Sequence, residues 1–339
     1  MKFAATFTPG MGELVTRQLK KFPVEELQLT YQEDGLIVGT TAYSPEWLRG
    51  VRFWNNAFIV LAEAKEANSV DELVPHLTKG VLQKVLPTQL PDIQTIQLRV
   101  MDSNQPVAMA SQRRKIVERL LASQGLQVVR QHADIELWVM RRASNYGIIG
   151  IRLPRQRFKR QERAPGELRP ELVHLMGLAA GVTGKDVVLD PFTGHGAIPR
   201  ELIAGFSPKQ VIAIEQNPRL VGKVRALAKD KPSFILMPGD ALEMDGIGSN
   251  SVTRIVTDPP WGEYTTTSLP LEEFYERMCN EFARVLKPGG VAVVLSSAKE
   301  VLADAAEASS LEAIKSYDIL VSGKKAVLLK LRKRNSLRV

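Results

Sequence analysis

The chain has 339 residues, 44% of them hydrophobic and 24% charged, the balance of a soluble globular protein long enough for two domains. No apolar run approaches the length of a membrane span, and the start MKFAATFTPGMGE lacks the apolar stretch of a secretory signal; the single cysteine, Cys279, excludes an internal disulfide or a cysteine-cluster metal site and accords with a reducing cytoplasm. The formal charge of +8 is uneven, with 24 Lys/Arg against 17 Asp/Glu in residues 1–170 and 21 against 20 in residues 171–339, so the basic first half suits a polyanion such as RNA as readily as it suits simple solubility.

In chain order, the apolar spacing predicts a strand over Lys2–Thr8 and a helix over Met11–Lys21. Strands at Leu27–Thr30 and Gly35–Thr40 flank the turn Glu33-Asp34-Gly35. A short helix over Pro45–Arg52 and a strand over Asn56–Ala64 follow. Helices at Val70–Val85 and Gln112–Gln124 bracket a strand at Thr95–Met101, and strands at Ile135–Met140 and Tyr146–Leu153 complete this half. Strands and helices mixed in this way predict small α+β units of the ferredoxin-like kind, not one large parallel sheet. The stretch IRLPRQRFKRQERAPGELRP (151–170) then carries seven basic residues against Glu162 and Glu167, and its three prolines oppose a long helix. The domain boundary is placed inside it.

The second half alternates regularly. Apolar strands at Val187–Asp190, Val211–Glu215, Phe234–Met237, Arg254–Asp258 and Val291–Ser297 are separated by helices at about 196–205, 217–229, 271–287 and 299–308. Such alternation implies right-handed crossovers and a parallel sheet covered on both faces. The end is different: Ile314–Val321, the turn Ser322-Gly323-Lys324-Lys325, and Ala326–Arg332 read as strand, turn, strand with no room for a helix. A parallel sheet closing on an antiparallel hairpin is the pattern of class I (Rossmann-like) methyltransferases, an α/β fold with a seven-stranded sheet.

Four motifs carry chemistry. In VVLDPFTGHGAIPREL (187–202), Gly194 and Gly196 let a ligand approach the backbone, and the helix N-terminus behind them suits a carboxylate. A dinucleotide fingerprint would need a third small residue where Pro199 stands, which disfavours NAD. Strand VIAIEQNP ends in Glu215, placed to accept both hydroxyls of a ribose. The turn Pro238-Gly239-Asp240-Ala241 offers Asp240 and a backbone N–H to an adenine. Any one of these is an ordinary surface feature; their order at the carboxyl ends of successive strands points to S-adenosyl-L-methionine.

The last and most specific motif is VTDPPWGEY (256–264). An exocyclic amine on a nucleobase is a poor nucleophile because its lone pair is delocalised into the ring. Two hydrogen-bond acceptors on its N–H groups free that pair as the nitrogen becomes tetrahedral. The Asp258 carboxylate and the Pro259 carbonyl can supply them, the prolines limit the turn, and Trp261 can stack on a flipped base. His195 is read as shaping its loop. His76, His132 and His174 are scattered, so no metal site is expected. Arg113-Arg114-Lys115 and Arg141-Arg142 are either solvated faces or phosphate contacts, and Phe158 either stacks or packs.

The chain resembles the THUMP-domain RNA guanine-N2 methyltransferases in LDPFTGHGAI followed by DPPWG. FAATFTPGMGELVTRQLKK is similar to the opening of their ferredoxin-like domain. RRKIVERLLASQGLQVVRQHADIELWVMRRASNYGIIGIRL resembles a THUMP domain, and ERAPGELRPELVHLM the segment placed over the methionine of the cofactor. The resemblance implies a ferredoxin-like subdomain in residues 1–50, a THUMP domain in 51–154, a basic linker in 155–170 and a methyltransferase domain in 171–339. It assigns cofactor roles to Asp190, Phe192, Gly194, Gly196, Glu215 and Asp240, with Pro191, Gln216 and Ala241 beside them. It assigns amine binding to Asp258 and Pro259 and stacking to Trp261, with Pro260 completing the loop. His195 and Ala197 stand where relatives often carry Ser and Thr. The implied reaction is methylation of a guanosine N2 amine in tRNA, in the acceptor stem. A ribosomal RNA guanine, an adenine N6 amine, and an RNA-binding module without turnover remain open. The implied partner is the acceptor end of tRNA, contacted by Arg113, Arg114, Arg155, Arg157, Lys159 and Arg160. No membrane or metal is implied; protein partners stay open, with a monomer compatible with the reading.

The basic first half generates a test. Affinity for tRNA should fall steeply with salt, and charge reversal at Arg155, Lys159 and Arg160 together should flatten the log–log slope by about three. A slope unchanged in filter-binding titrations would place the RNA elsewhere.

Overall fold

The computed structural model describes residues 1–90, 93–153, 164–229, 231–261, 269–321 and 323–335, apart from the side chains of 87–89 and 228. The chain divides into two compact units, one of Met1–Phe7 with Arg17–Arg160 and one of Thr8–Thr16 with Gln161–Val339. Among the described residues no helix is long and apolar enough to cross a membrane.

The first unit is built on β1 (Lys2–Thr6), α1 (Gly12–Leu19), β2 (Leu27–Glu33), β3 (Leu36–Thr41), α2 (Pro45–Gly50) and β4 (Asn56–Ala64), with the early turns of α1 counted in the second unit. A 3-10 helix (Val70–His76), α3 (Lys79–Gln89), β5 (Thr95–Asp102), β6 (Gln105–Pro106), α4 (Ser111–Ala122), β7 (Gln127–Val128), β8 (Ile135–Arg141) and β9 (Gly147–Leu153) follow. The expected small units merge into one nine-stranded sheet, β2-β3-β1-β4-β9-β8-β5-β6, with β7 beside β5. The join is the antiparallel pairing of β4 with β9, from Ala57 opposite Leu153 to Ala64 opposite Gly147.

The single helix expected over Val70–Val85 is a correction. Pro75 lacks the N–H that an α-helix needs there, so a 3-10 turn ends at His76. Thr78 then caps a new helix by accepting from the Val81 N–H. The two-residue strands β6 and β7 are too short to leave a period in the sequence.

The second unit contains α5 (Pro170–Ala180), β10 (Val187–Asp190), α6 (Ala197–Phe206), β11 (Gln210–Glu215), α7 (Pro218–Ala228), β12 (Phe234–Pro238), β13 (Val252–Thr257), α8 (Leu271–Val285), β14 (Leu286–Ser296), α9 (Lys299–Ala308), β15 (Leu311–Val321) and β16 (Lys324–Lys333). The strands form one sheet in the order β12-β11-β10-β13-β14-β16-β15. Its first five strands are parallel; β16 runs antiparallel to both β14 and β15. This is the expected parallel sheet with a closing hairpin. The order reverses between β10 and β13, so their carboxyl ends flank the crevice where open parallel sheets bind ligands.

The helix α8 fixes one wall of that crevice. Phe274, Tyr275, Met278, Cys279, Phe282 and Val285 form its buried stripe and pack with Ile255, Ala292, Val294 and Leu329 of the sheet. The spacing of three and four residues along LEEFYERMCNEFARV is what a core-facing helix requires. Phe282 is fully buried, so Phe282→Ala should destabilise the protein by about 3–5 kcal/mol. Denaturant unfolding followed by circular dichroism measures this, and a loss below about 1 kcal/mol would mean that α8 is not anchored through its apolar stripe.

Candidate active site

The crevice is built from four strand ends. β10 finishes in Asp190, and the chain turns through Pro191, Phe192, Thr193, Gly194, His195 and Gly196 into α6. Gly194 (φ +52°) and Gly196 (φ +80°) both adopt left-handed backbone, as glycine does most readily. A Cβ at Gly196 would fall 2.7 Å from Leu227 Cδ1, whereas one at Gly194 would meet nothing within 4 Å. The left-handed backbone therefore favours glycine at both positions, with Leu227 adding crowding at Gly196, while Gly194 leaves backbone open on one side. The Thr193 N–H donates to the Ile214 carbonyl at 3.0 Å and the Gly196 N–H to the Thr193 carbonyl at 2.8 Å, fixing the turn.

Glu215, at the end of β11, is 8% exposed. Its Oε2 accepts from the Gly194 N–H and its Oε1 from the Asn217 N–H, both at 2.8 Å. Each oxygen keeps further acceptor capacity, which fits a pair of ribose hydroxyls. The same side chain thus ties the glycine turn to the neighbouring strand. Gln216 is exposed beside it. At the end of β12, Asp240 is exposed and Ala241 buried. Asp240 Oδ1 accepts from the Leu242 N–H at 2.9 Å, which holds the turn. Glu281 and Arg284 of α8 pin the next residues: Glu281 accepts from the Met244 N–H, and Arg284 donates to the Met244 and Ile247 carbonyls.

Asp190 lies inside the protein, with no exposed surface. Its Oδ1 accepts from the Thr257 hydroxyl at 2.9 Å, across to the end of β13. Among the described residues, its other oxygen and the Thr193 hydroxyl are buried with no protein partner meeting hydrogen-bond geometry. Thr257 directly precedes Asp258, so this bond joins the glycine turn to the Asp-Pro-Pro-Trp loop. Asp258 Oδ1 accepts from the Trp261 indole N–H at 2.9 Å. Pro259 is buried, while Pro260 and Trp261 are partly exposed. Behind the loop, the fully buried Tyr275 places its hydroxyl 2.6 Å from Ser296 Oγ and 3.5 Å from the Pro260 carbonyl. Phe192 stands beside Phe274, their ring centroids 5.7 Å apart.

Desolvation governs the electrostatics. Burial pushes the Asp190 carboxyl up to about 7, against hydrogen bonds that favour its charged form, and the Asp258 charge raises it further. Burial likewise pushes Asp258 up to about 7, opposed by the Trp261 N–H. Tyr275 is pushed up to about 12, so its hydroxyl keeps its proton at neutral pH.

The structure thus gathers Asp190, Phe192, Gly194, Gly196, Glu215, Asp240, Asp258 and Trp261 at the carboxyl ends of consecutive strands. Sequence reasoning missed Thr257, Tyr275 and Ser296. Tyr275 is hidden in an amphipathic stripe, where an aromatic residue reads as core. Arg113 and Arg114 are exposed on α4, Arg114 pairing with Glu118 at 2.8 Å. Arg155, Arg157, Lys159, Arg160 and Phe158 lie outside the described residues. Arg141 and Arg142 are committed within the first unit, Arg141 to Asp102 and Asn145, Arg142 to Glu33 and the Asp34 carbonyl. Phosphate would have to displace those partners. Among the described residues, no group of three His, Cys, Asp or Glu could hold a metal ion.

Residues 157–326 match the family model described as UPF0020, RMKL-like, methyltransferase domain. The chain is 28% identical over 178 residues to the tRNA (guanine(6)-N(2))-methyltransferase THUMP3 of Bos taurus, covering 48% of this chain and 35% of that protein. It is 27% identical over 213 residues to the tRNA (guanine(10)-N2)-dimethyltransferase of Pyrococcus abyssi, covering 57% of this chain and 60% of that one. The matched region thus spans about a third to three-fifths of these relatives' lengths. The fold is that of TrmN from Thermus thermophilus, with a TM-score of 0.75, 20% identity and coverage of 98% of this chain and 99% of that one.

The buried carboxyls make stability depend on pH. Each is held above its unfolded value, so the stabilising neutral form is fully populated below about pH 4 and is lost as pH rises through about 7. Asp190→Asn, which keeps an acceptor for Thr257, should therefore raise the urea midpoint relative to the parent at pH 8 more than at pH 4. Equal shifts at both values would mean that Asp190 is not buried as a titrating acid.

Proposed function

The chain belongs to the UPF0020 family of RMKL-like methyltransferase domains, and we propose that it methylates the exocyclic N2 amine of a guanosine in tRNA, within the acceptor stem, using S-adenosyl-L-methionine in the cytoplasm. The carrying observation is the Asp258-Pro259-Pro260-Trp261 loop at the end of β13, joined through Thr257 and Asp190 to the glycine turn at the end of β10.

The residues fit the cofactor. The open backbone face at Gly194, the remaining acceptor capacity of Glu215 and the Asp240–Ala241 turn offer a carboxylate, a ribose and an adenine their respective complements. When bound, the cofactor supplies an electrophilic methyl group on a sulfonium. Glu215 and Asp240 hold it, and Phe192 borders it. Asp190 acts from beneath by fixing the two loops to each other.

At the amine, Asp258 accepts one N–H hydrogen bond and the Pro259 carbonyl the other. This draws the nitrogen lone pair out of conjugation as the methyl group is transferred. The ionised Asp258 carboxylate takes up the proton that the amine releases. The ring of Trp261 stacks on the base, which must leave its helix to reach the crevice. Residues 51–154 form the THUMP domain and, with Arg113 and Arg114, hold the acceptor end; the basic linker adds Arg155, Arg157, Lys159 and Arg160.

Radiolabelled methyl transfer to unmodified tRNA and, in parallel, to unmodified ribosomal RNA, followed by nucleoside analysis, tests the proposal. N2-methylguanosine is the expected product. Label confined to ribosomal RNA, N6-methyladenosine, or no label on any RNA would overturn it. Asp258→Ala should lower kcat by about a hundredfold or more while calorimetry still shows cofactor binding. The parent rate should fall as pH drops through about 7, because protonated Asp258 can no longer take up the proton.

A further inference from the structure

We propose that the Trp261 indole N–H is a positioning group in this reaction, holding Asp258 Oδ1 so that Oδ2 is presented to the target amine; this rests on the function proposed above. The loop is fastened at successive points. Thr257 is held by Asp190, Asp258 by Trp261, and the Pro260 carbonyl faces Tyr275. The prolines restrict the backbone, but nothing in a proline fixes the rotation of the carboxyl before it. Among the described residues, the indole N–H is the hydrogen-bond donor to the Asp258 carboxyl. A free carboxylate turns about its last bond, a broad torsion. One N–H at 2.9 Å selects an orientation and leaves the second oxygen available.

The two uses of Trp261 do not compete. A stacked base lies on the face of the indole, whereas Nε1–H projects from its edge in the ring plane. One residue can therefore cover the base and aim the acceptor for the amine of that base. Phenylalanine or tyrosine in its place would offer a stacking face and no edge N–H. This separates Trp261 from a generic aromatic in the loop.

The electrostatic surroundings sharpen the consequence. Among the described residues, the titratable groups coupled to Asp258 are Asp190 from the end of β10 and Tyr275 from α8, with the neutral Ser296 of β14 behind Tyr275. Negative charge on Asp190 opposes ionisation of Asp258, and the Tyr275 hydroxyl stays protonated. The indole N–H is the contact that favours the carboxylate. Removing it should leave the acid weaker, so the acid limb of the rate profile should move to higher pH.

The test replaces Trp261 with 3-benzothienylalanine, a ring of nearly equal size in which sulfur stands for the N–H, alongside Trp261→Phe. In the isostere, kcat should fall about tenfold, the loss expected for one hydrogen bond to a charged group. KM for tRNA should stay within about twofold because stacking is kept, and the acid limb should shift upward. In the parent protein, the indole 15N–1H resonance that disappears in Trp261→Phe should titrate, and Asp258→Asn should abolish that titration. A resonance that does not titrate would overturn the contact. An isostere with unchanged kcat and acid limb would overturn the positioning role. A titrating Trp261 in a protein that transfers no methyl group to guanosine would instead remove the substrate reading and leave the hydrogen bond standing.

Discussion

Everything in the crevice hangs on the hydrogen bond from the Thr257 hydroxyl to the Asp190 carboxyl. These residues end β10 and β13, adjacent parallel strands between which the order of the sheet reverses. Loops leaving adjacent strand tips diverge, because each must turn into a helix on its own side of the sheet. A link between the tips keeps the glycine turn and the Asp-Pro-Pro-Trp loop in a fixed relation. Its placement in the interior has an electrostatic cost, since a carboxyl without water is driven towards its neutral form. The fold tolerates that where the two loops are held in one frame.

Glu215 does for the other side of the crevice what Asp190 does for the centre. One of its backbone hydrogen bonds, from the Gly194 N–H, ties the glycine turn to β11, and the other, from the Asn217 N–H, holds the start of α7. The residue proposed to hold the ribose is thereby also a structural brace. The turn after β12 is held from α8 by Glu281 and Arg284, and the loop after β13 is backed by Tyr275 from the same helix. One amphipathic helix therefore supports two walls of the site, through side chains that hold the backbone of its loops.

Legibility in the sequence followed periodicity. The alternation of strand and helix from Val187 onward, the closing hairpin, and the acids at strand ends all leave a local signature, and each stands close to its expected place. The first half was harder. Pro75 splits an apparently continuous helix, β6 and β7 are shorter than any repeat, and the merging of its strands into one sheet depends on the long-range pairing of β4 with β9. In the site, Asp190 could be located but its burial could not. Whether an acid at a strand tip points outward or down is decided by its neighbours. The supporting role of Tyr275 was invisible for the same reason, as was the commitment of Arg141 and Arg142 to internal ion pairs.

The sheet order β14-β16-β15 also bears on how the protein is made. β16 follows β15 in the chain yet lies between β15 and β14, pairing with both. As the polypeptide leaves the ribosome, β14 emerges with one edge unsatisfied, and its apolar residues Val291–Leu295 must wait for a partner not yet synthesised. β15 cannot dock in the meantime, because its place in the sheet exists only once β16 is seated. β15 and β16 therefore join the sheet together, as a hairpin, and β14 remains an open sheet edge until they do.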